Sequence, residues 1–332
     1  MSQRLTKAWL ERGPLACALW PLSLIYALIA RLHRGLFSLG LLKTQQLEVP
    51  VVVVGNILVG GAGKTPVVMA LVDHLKSHGW QPGVISRGYG RTANDCLEVS
   101  VDADAALVGD EPLLIQRRCE VPVFVATKRF DAGRALLTKY PKVNIIISDD
   151  GLQHHALHHD LSICVFDDRG IGNGWMLPAG PLRNRGCEVT WVLHSGQACP
   201  VPVKAALGRF SVKRRLAPNA KRADGSEVAL EDLKGRHLHA LAGIARPGLF
   251  FDMLRRQGLK LTRTTALPDH CDFDSYKSLL DMPEGLICTE KDAVKLWRHV
   301  PQALAVPLRI ELDGHFLQSF SHAVTLLCRP KL

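Results

Sequence analysis

Apolar residues along this chain occur in two alternating patterns, short continuous runs and longer stretches with helical spacing. The clearest example is the run of four valines at residues 51–54, which is followed by a glycine-rich turn. Apolar residues three and four positions apart come after the turn: Val67, Val68, Leu71, Val72 and Leu75. A continuous β-branched run is typical of a strand buried on both faces, and the later spacing is typical of a helix, which Gly79 is placed to end.

The same alternation continues along the chain and predicts the fold class. It predicts helices at residues 112–118 and 129–140, and short strands at residues 84–86, 121–126, 143–148, 161–166 and 189–193. Short apolar strands separated by helices indicate a mostly parallel sheet with helices on both faces. We therefore predict an α/β fold whose ligands bind at the carboxyl ends of the strands.

A smaller α/β unit is predicted in the second half of the chain. Residues 195–230 are polar and basic, and their pattern is poor in strands. Beyond them, the pattern predicts strands at residues 237–244 and 285–288, and helices at residues 248–257 and 293–299.

The turn after the valine run has the composition of a phosphate-binding loop. Its residues are Gly60, Gly61, Ala62, Gly63, Lys64, Thr65 and Pro66. Glycines let backbone N–H groups converge on phosphate oxygens, the lysine reaches the β- and γ-phosphates, and the threonine hydroxyl can bind Mg²⁺. The usual pattern has a glycine where this chain has Leu58, but the strand–turn–helix context is complete. We therefore predict a P-loop NTPase-type fold that binds ATP or GTP.

Charged residues follow three of the predicted strands. Asp149 and Asp150 end a buried strand at the point where an acid of P-loop proteins holds Mg²⁺, and the spacing leaves open which of the two contacts the metal. Arg87 and Tyr89 lie in a glycine-rich loop, and Arg183 lies in a loop rich in proline and glycine. Since arginine binds phosphate through two parallel hydrogen bonds, these loops are candidate substrate sites.

Other polar residues leave alternatives open. Asp110 lies where a loop meets a predicted helix, so it can cap the helix or act as the base that accepts a hydroxyl proton. His270 lies in a loop, and Lys291 and Lys295 at a helix start can face an anionic substrate, but each signal alone is weak. The four histidines within residues 154–159 lack the ligand spacing of a zinc site, which favours a polar loop near the nucleotide.

The N-terminal region is strongly apolar, with no charge at residues 14–30. This run is slightly short for a transmembrane helix and contains Pro21, and no small-residue cleavage site follows as a secretory signal requires. The favoured interpretation is a pair of apolar helices in the membrane interface, with Trp20 and Tyr26 at headgroup level. A helix packed on the protein's own core is the alternative.

Composition narrows the class of partner. The 332-residue chain carries a formal net charge of +10, which favours an anionic partner. Aromatic residues make up only 6% and no long basic run occurs, so we expect no nucleic-acid partner. Nine cysteines without a Cys-x-x-Cys pair favour a reducing compartment over a disulfide scaffold.

Taken together, these motifs resemble the tetraacyldisaccharide 4′-kinase family of lipid A biosynthesis. The matching segments are the apolar N-terminus and residues 54–56, 60–65, 86–90, 109–112, 149–154, 177–183, 268–270 and 289–292. The resemblance implies an ATP- and Mg²⁺-dependent lipid kinase at the cytoplasmic face of the inner membrane, peripheral or monotopic. Its reaction would phosphorylate the 4′-hydroxyl of an acylated glucosamine disaccharide 1-phosphate to give lipid IVA.

The resemblance also implies residue roles. Asp110 is the expected base and His270 its partner, so that closure of two domains assembles the pair around bound substrate. Arg87, Tyr89 and Arg183 are expected to contact the glycolipid or its phosphates.

The expected domain boundaries follow from the motifs and the composition shift. An N-terminal membrane-interface segment spans residues 1–45, the nucleotide-binding domain spans residues 46–200, and a smaller α/β domain that closes over the site spans residues 201–332. We expect a monomer.

One departure and one rival function accompany this interpretation. The family's usual acid after the arginine is Asn184 here, so Mg²⁺ would rely on Asp149, Asp150, Thr65 and water. The rival is a membrane-associated P-loop ATPase that positions or delivers other proteins and also carries Gly-Gly-x-Gly-Lys-Thr. Such proteins have a lysine where this chain has Val59, and they lack a second domain with an Asp-His pair.

The two interpretations of Asp110 differ in a measurable way. Asp110→Ala is expected to abolish phosphate transfer and to leave ATP binding nearly intact, because a base acts only in the chemical step. ATP affinity and transfer, measured on the same preparation, test this. Loss of ATP binding would instead assign Asp110 to the helix cap.

Overall fold

The computed structural model describes residues 8–196, 203–273 and 285–327, which form one long N-terminal helix, two large sheets with flanking helices, and a short two-stranded sheet. The helices are α1 (Pro14–Ser38), α2 (Lys64–Ser77), α3 (Ala105–Val108), α4 (Asp110–Cys119), α5 (Arg129–Lys139), α6 (Pro247–Arg256), α7 (Glu290–Leu296) and α8 (Gly314–Leu327). A 3₁₀ turn spans Glu231–Leu233. This mixed architecture confirms the predicted α/β class.

The larger sheet has nine strands in the order β17-β10-β8-β6-β1-β5-β2-β4-β3. In chain order they are β1 (Val51–Gly55), β2 (Pro82–Ser86), β3 (Leu97–Glu98), β4 (Val123–Val125), β5 (Ile145–Asp149), β6 (Leu161–Phe166), β8 (Trp191–His194), β10 (Arg209–Leu216) and β17 (Leu308–Leu312). From β10 to β4 all neighbours are parallel, and only the edge strands β17 and β3 are antiparallel. Val54 of β1 lies opposite Asp149 of β5, so the glycine-rich turn and the acidic pair leave the same edge of the sheet.

The second sheet has six strands in the order β12-β11-β16-β15-β13-β14. They are β11 (Asn219–Lys221), β12 (Glu227–Ala229), β13 (Leu238–Ala242), β14 (Leu261–Ala266), β15 (Gly285–Thr289) and β16 (Leu304–Val306). Strands β7 (Cys187–Val189) and β9 (Val203–Ala205) form the separate parallel pair. The predicted strands near residues 237–244 and 285–288 are therefore confirmed, with β13 and β15 as neighbours.

Two expectations about strands were wrong. The polar stretch at residues 195–230 contains four strands, because the basic residues of β10 alternate with inward-facing Val212 and Leu216, and an alternating strand shows no continuous apolar run. The single strand predicted at residues 189–193 is split into β7 and β8 at Thr190, whose backbone N–H and side-chain hydroxyl bond to Ser162.

Within the described residues, the apolar stretch from Pro14 to Ser38 is one helix and not the expected pair. α1 continues through Arg31 and Arg34 to Ser38, because arginine is a good helix former and Gly35 alone does not end a helix. The helix is long and apolar enough to cross a membrane. Only 11% of its most apolar 18-residue stretch is buried in the protein. Its buried residues, Ala16 and Ser23, lie on the face that contacts the rest of the chain.

The C-terminal helix, which the pattern did not predict, packs on the larger sheet. Phe316 and Phe320 of α8 are fully buried, and their rings lie 5.7 and 5.8 Å from the Trp191 ring of β8. Strands β10 and β17, both beyond residue 200, also belong to the larger sheet. The division into domains at residues 45 and 200 stays a prediction.

Candidate active site

The glycine-rich turn has the backbone of a phosphate-binding loop. Gly60 and Gly63 have φ of +97° and +85°, a region that residues with a Cβ rarely occupy, and α2 begins at Lys64 directly after the turn. The first backbone N–H groups of α2 therefore remain available to an anion. Leu58, where a glycine is usual, is buried and pairs with Leu182. This position thus belongs to the core and not to the phosphate cradle.

The predicted lysine and one of the two acids meet at this loop. Lys64 Nζ lies 3.4 Å from Asp150 Oδ1 and donates to Asn56 Oδ1, also at 3.4 Å. Arg183 Nη1 lies 3.5 Å from Asp150 Oδ2, and Arg129 Nη2 donates to the Asp150 carbonyl oxygen at 3.2 Å. Asp150 is consequently surrounded by three cationic side chains, a charge arrangement that can also receive phosphate oxygens.

Asp149, the other acid, has a different environment. It is 1% exposed, and burial, followed by the nearby charges of Glu111 and Asp150, raises its pKa to about 7 even though Lys64 and Arg129 oppose the shift. Among the described residues, its Oδ1 atom has no hydrogen-bond partner. A buried carboxylate oxygen without a partner is costly, so this atom favours a cationic ligand. Asp150 Oδ1 likewise has no hydrogen-bond partner among the described residues and lies 3.4 Å from Lys64 Nζ, so both acids stay candidates for a metal ion.

Asp110 is the first residue of α4 and directly follows the N-cap residue Gly109. Asp110 Oδ2 lies 3.1 Å from His270 Nδ1, and Asp110 Oδ1 lies 2.8 Å from Lys295 Nζ of α7. Burial would raise the pKa of Asp110, but the hydrogen bonds from His270 and Lys295 and the lysine charge lower it overall. The carboxylate is thus held ionised and oriented by two residues of the second half of the chain.

Tyr89 lies beside this carboxylate–histidine pair. Its ring centroid is 5.2 Å from that of His270, and its side chain is 70% exposed. The loop reaches this position because backbones cross closely: a Cβ on Gly88 would lie 2.6 Å from the Val108 carbonyl oxygen. An exposed aromatic ring thus lies beside the half-buried His270, which contacts the buried Asp110.

The two lysines at the start of α7 do not face open solvent. Lys291 Nζ lies 3.2 Å from Glu111 Oε1 and 3.0 Å from Asp269 Oδ1. Burial opposes the charged form, but these two carboxylates raise the pKa of Lys291 overall. The lysines therefore join α4 to α7 through ion pairs, which the sequence did not indicate.

The remaining candidates lie around the same edge of the sheet. Arg87 is exposed, and its charge acts on Arg129 and His154. Burial, assisted by Arg129, lowers the pKa of His154 to about 4, so this histidine is neutral at physiological pH. In the described part of the chain, no group of three or more histidine, cysteine or acidic side chains could hold a metal ion. Asn184 Oδ1 accepts a hydrogen bond from the Arg185 backbone N–H.

Arginines near the phosphate loop were missed by sequence reasoning. Arg214 Nη2 of β10 donates to the Ala62 carbonyl oxygen at 2.9 Å, and Arg169 Nη2 donates to the Gly61 carbonyl oxygen at 3.2 Å. Arg246, after β13, bonds to Asp168, with Nη2 2.9 Å from Oδ2. The strand alternation of β10 places Arg214 on the inward face, and recognising that alternation is the signal that could have found it.

This fold and this site define a P-loop kinase: a phosphate-binding loop on a parallel sheet, with a carboxylate–histidine pair contributed by two parts of the chain. The family model described as tetraacyldisaccharide-1-P 4′-kinase matches residues 15–325. The chain is also 54% identical over 320 residues to a tetraacyldisaccharide 4′-kinase of Acidovorax sp. (strain JS42), covering 96% of this chain and 94% of that one. It is 50% identical over 329 residues to the kinase of the same name from Delftia acidovorans, covering 98% and 96%.

A solved structure supports the same assignment. The LpxK structure from Aquifex aeolicus in complex with ATP superimposes with a TM-score of 0.79 at 29% identity, covering 94% of this chain and 99% of that one. The chain belongs to the tetraacyldisaccharide-1-P 4′-kinase family, and it is a phosphotransferase with an alcohol group as acceptor. The predicted resemblance, kinase class and lipid A pathway are thereby confirmed, and the rival delivery ATPase is not supported.

The contact between Lys295 and Asp110 generates a pH prediction. Lys295→Gln removes a charge that lowers the pKa of Asp110, so that pKa is expected to rise. If ionised Asp110 accepts the acceptor's proton, the acid limb of the kcat/KM profile moves to higher pH. The pH dependence of kcat/KM measures this, with Lys221→Gln, which removes an exposed lysine paired with Glu227, as the matched control. An unmoved acid limb would show that Lys295 does not set the ionisation of the base.

Proposed function

We propose that this kinase transfers the γ-phosphate of ATP to the 4′-hydroxyl of a tetraacylated glucosamine disaccharide 1-phosphate, with Asp110 as the base. The observation that carries the residue assignment is the contact of Asp110 with His270, 160 residues apart in the chain. This contact lies beside Tyr89, at the junction between the two large sheets. The names of the family and of its relatives support the acceptor.

The roles of the residues follow from their positions. The backbone N–H groups at residues 60–65 and the Lys64 ammonium bind the β- and γ-phosphates. Asp110 accepts the proton of the attacking hydroxyl, and His270 orients the carboxylate. A carboxylate whose pKa is lowered is a weak base, but phosphoryl transfer requires mainly positioning and charge neutralisation, so late proton transfer is sufficient.

Substrate contacts are proposed on both sides of the transferred phosphate. Arg183 is held next to Asp150 and Lys64, so its guanidinium can bind a phosphate oxygen. Tyr89 presents an exposed ring beside His270, where it can pack against the acceptor sugar. Arg87 lies in the same loop and supplies positive charge for the glycolipid phosphate.

The residues present also fit a magnesium ion. Asp149 offers a buried carboxylate oxygen without a partner among the described residues, and Thr65 offers a hydroxyl in the first turn of α2. Oxygen ligands of this kind, completed by phosphates and water, suit Mg²⁺. Such an ion would neutralise charge on the β- and γ-phosphates. Asp149, Asp150 and Thr65 are the proposed holders, without an acid at Asn184.

α1 is proposed to place the kinase on the cytoplasmic face of the inner membrane. One face of α1 contacts the protein, and the other exposes large apolar side chains: Leu22, Leu24, Ile25, Leu28, Ile29, Leu32 and Leu36. An apolar surface of this size marks an interaction with a membrane or a partner. Because the helix is attached along its buried face, we infer that it lies in the membrane surface and does not span it, with the protein acting as a monomer.

The activity is tested by phosphate transfer from labelled ATP to tetraacylated glucosamine disaccharide 1-phosphate in detergent micelles. Wild-type protein is expected to label the lipid, and Lys64→Ala is expected to lose about a hundredfold or more of this rate because it lacks the charge at the γ-phosphate. ATP hydrolysis without labelled lipid would overturn the proposed reaction and favour the delivery ATPase.

The proposal that α1 binds the membrane surface predicts the effect of substitutions on its exposed face, which leave its buried face intact. Ile25 and Ile29 are 56% and 60% exposed. The double variant Ile25→Gln/Ile29→Gln is expected to weaken binding to phosphatidylethanolamine–phosphatidylglycerol vesicles about tenfold or more. The reason is that the variant has fewer apolar side chains to transfer from water into the bilayer. Vesicle sedimentation measures this, and Leu207→Gln, at a residue 51% exposed, is the control. Equal sedimentation of both variants and wild type would contradict the proposal.

A further inference from the structure

The Ser23 hydroxyl connects the apolar helix α1 to the loop at residues 176–183. This loop is called the arginine loop here because it ends at Arg183. Ser23 is 4% exposed, although it lies in a helix whose other faces are largely open. Its Oγ donates to the Met176 carbonyl oxygen at 2.8 Å and accepts from the Ala179 backbone N–H at 3.0 Å. One hydroxyl thus satisfies a donor and an acceptor of the loop backbone.

Two more side chains from the N-terminal region hold the same loop. Tyr26, one turn after Ser23, donates its hydroxyl to the Arg183 carbonyl oxygen at 3.2 Å. Trp9 Nε1 donates to the Pro178 carbonyl oxygen at 2.8 Å. These contacts cover the beginning, middle and end of the arginine loop, so its path is fixed by α1 and the residues just before it.

The other side of the arginine loop is bonded to the segment that leads into the phosphate-binding loop. The Arg183 backbone N–H donates to the Ile57 carbonyl oxygen at 2.7 Å, and the Val59 N–H donates to the Pro181 carbonyl oxygen at 2.9 Å. Leu58 and Leu182, which pair between these bonds, are buried in one apolar cluster against which Tyr26 packs. The loop is therefore a layer between α1 and the start of the phosphate cradle.

We propose that Ser23 and Tyr26 are positioning residues of the phosphoryl-transfer site, acting through Arg183. This inference rests on the proposed function, because the proposed function assigns a phosphate contact to Arg183. Without the Ser23 hydroxyl, the buried Ala179 backbone N–H loses its hydrogen bond, whereas the Met176 carbonyl oxygen keeps the bond from the Gly180 N–H at 2.9 Å. The loop must then move to pair the Ala179 N–H again. A shift of about 1 Å in a positioning group can cost on the order of a hundredfold in rate, so a small loop movement matters.

Helix α1 consequently has two separable roles on its two faces. The open face supplies apolar area, and the buried face, with Ser23 and Tyr26, supplies geometry to the site. Changes on the open face are expected to affect membrane partition and the apparent KM for the lipid. Changes at Ser23 and Tyr26 are expected to affect kcat.

The experiment is a double-mutant cycle on kcat for lipid phosphorylation in micelles. Ser23→Ala is expected to lower kcat about tenfold, the cost of leaving the buried Ala179 N–H unpaired, with the KM for lipid nearly unchanged. In an Arg183→Ala background the same change is expected to have little further effect, because residues that act through one group are not additive. Ser38→Ala is the matched control, since Ser38 is exposed on the same helix and its hydroxyl donates within the helix, to the Gly35 carbonyl oxygen.

Tyr26→Phe provides a second variant that removes one hydroxyl and keeps the partly buried ring. It is expected to reproduce the loss of kcat and the non-additivity with Arg183→Ala, while the thermal midpoint stays near that of wild type. Additive effects, or a raised KM with unchanged kcat, would overturn the positioning role and leave α1 as a membrane contact.

Failure of the proposed function has a different signature. Wild-type protein that does not label the lipid would count against that function alone, and the same cycle read from the rate of ATP hydrolysis would then decide the positioning role. Labelled lipid with additive variants would count against the positioning role alone.

Discussion

The site depends on one buried carboxylate that receives hydrogen bonds from two partners. Asp110 begins α4, which lies on the side of the larger sheet. His270 and Lys295 lie on the side of the second sheet. A buried carboxylate without partners is strongly disfavoured, so the ionised, oriented form of Asp110 exists only while these two sides are together. The ion pairs of Lys291 with Glu111 and Asp269 hold the same junction. The geometry around Asp110 is thus a property of the junction and not of either sheet alone.

The parts of this site that the sequence predicted are those in which neighbours in the chain are also neighbours in space. The phosphate-binding loop follows β1 directly, and Asp149 ends the strand beside it, so a strand pattern followed by polar residues is sufficient. The pairing of Asp110 with His270 spans 160 residues and has no local pattern. It was expected only because the motifs resemble a known family, and the fold then brought the two residues into contact.

The elements that pattern reading missed share a physical cause. β10 carries three arginines and one lysine, so its buried alternate positions do not form an apolar run, and Arg214 on its inward face was hidden by the same composition. α1 was divided into two because charged residues were interpreted as an end, although charge on an open helix face does not break a helix. Ser23 offered no signal, because one serine in an apolar helix is unremarkable until its partners on a distant loop are known.

The attachment of the arginine loop to α1 has a consequence for acceptor choice. If α1 lies in the membrane surface, the bonds from Ser23 and Tyr26 set the height of Arg183 above the lipid. The phosphate donor is then presented at one depth, and an acceptor hydroxyl must be carried to that depth by its own acyl anchors. A soluble sugar with the same hydroxyl would meet the site only at its dilute bulk concentration, whereas an anchored one is already confined to the correct layer. Such an enzyme selects its acceptor by the depth at which the membrane holds it, as well as by side-chain contacts.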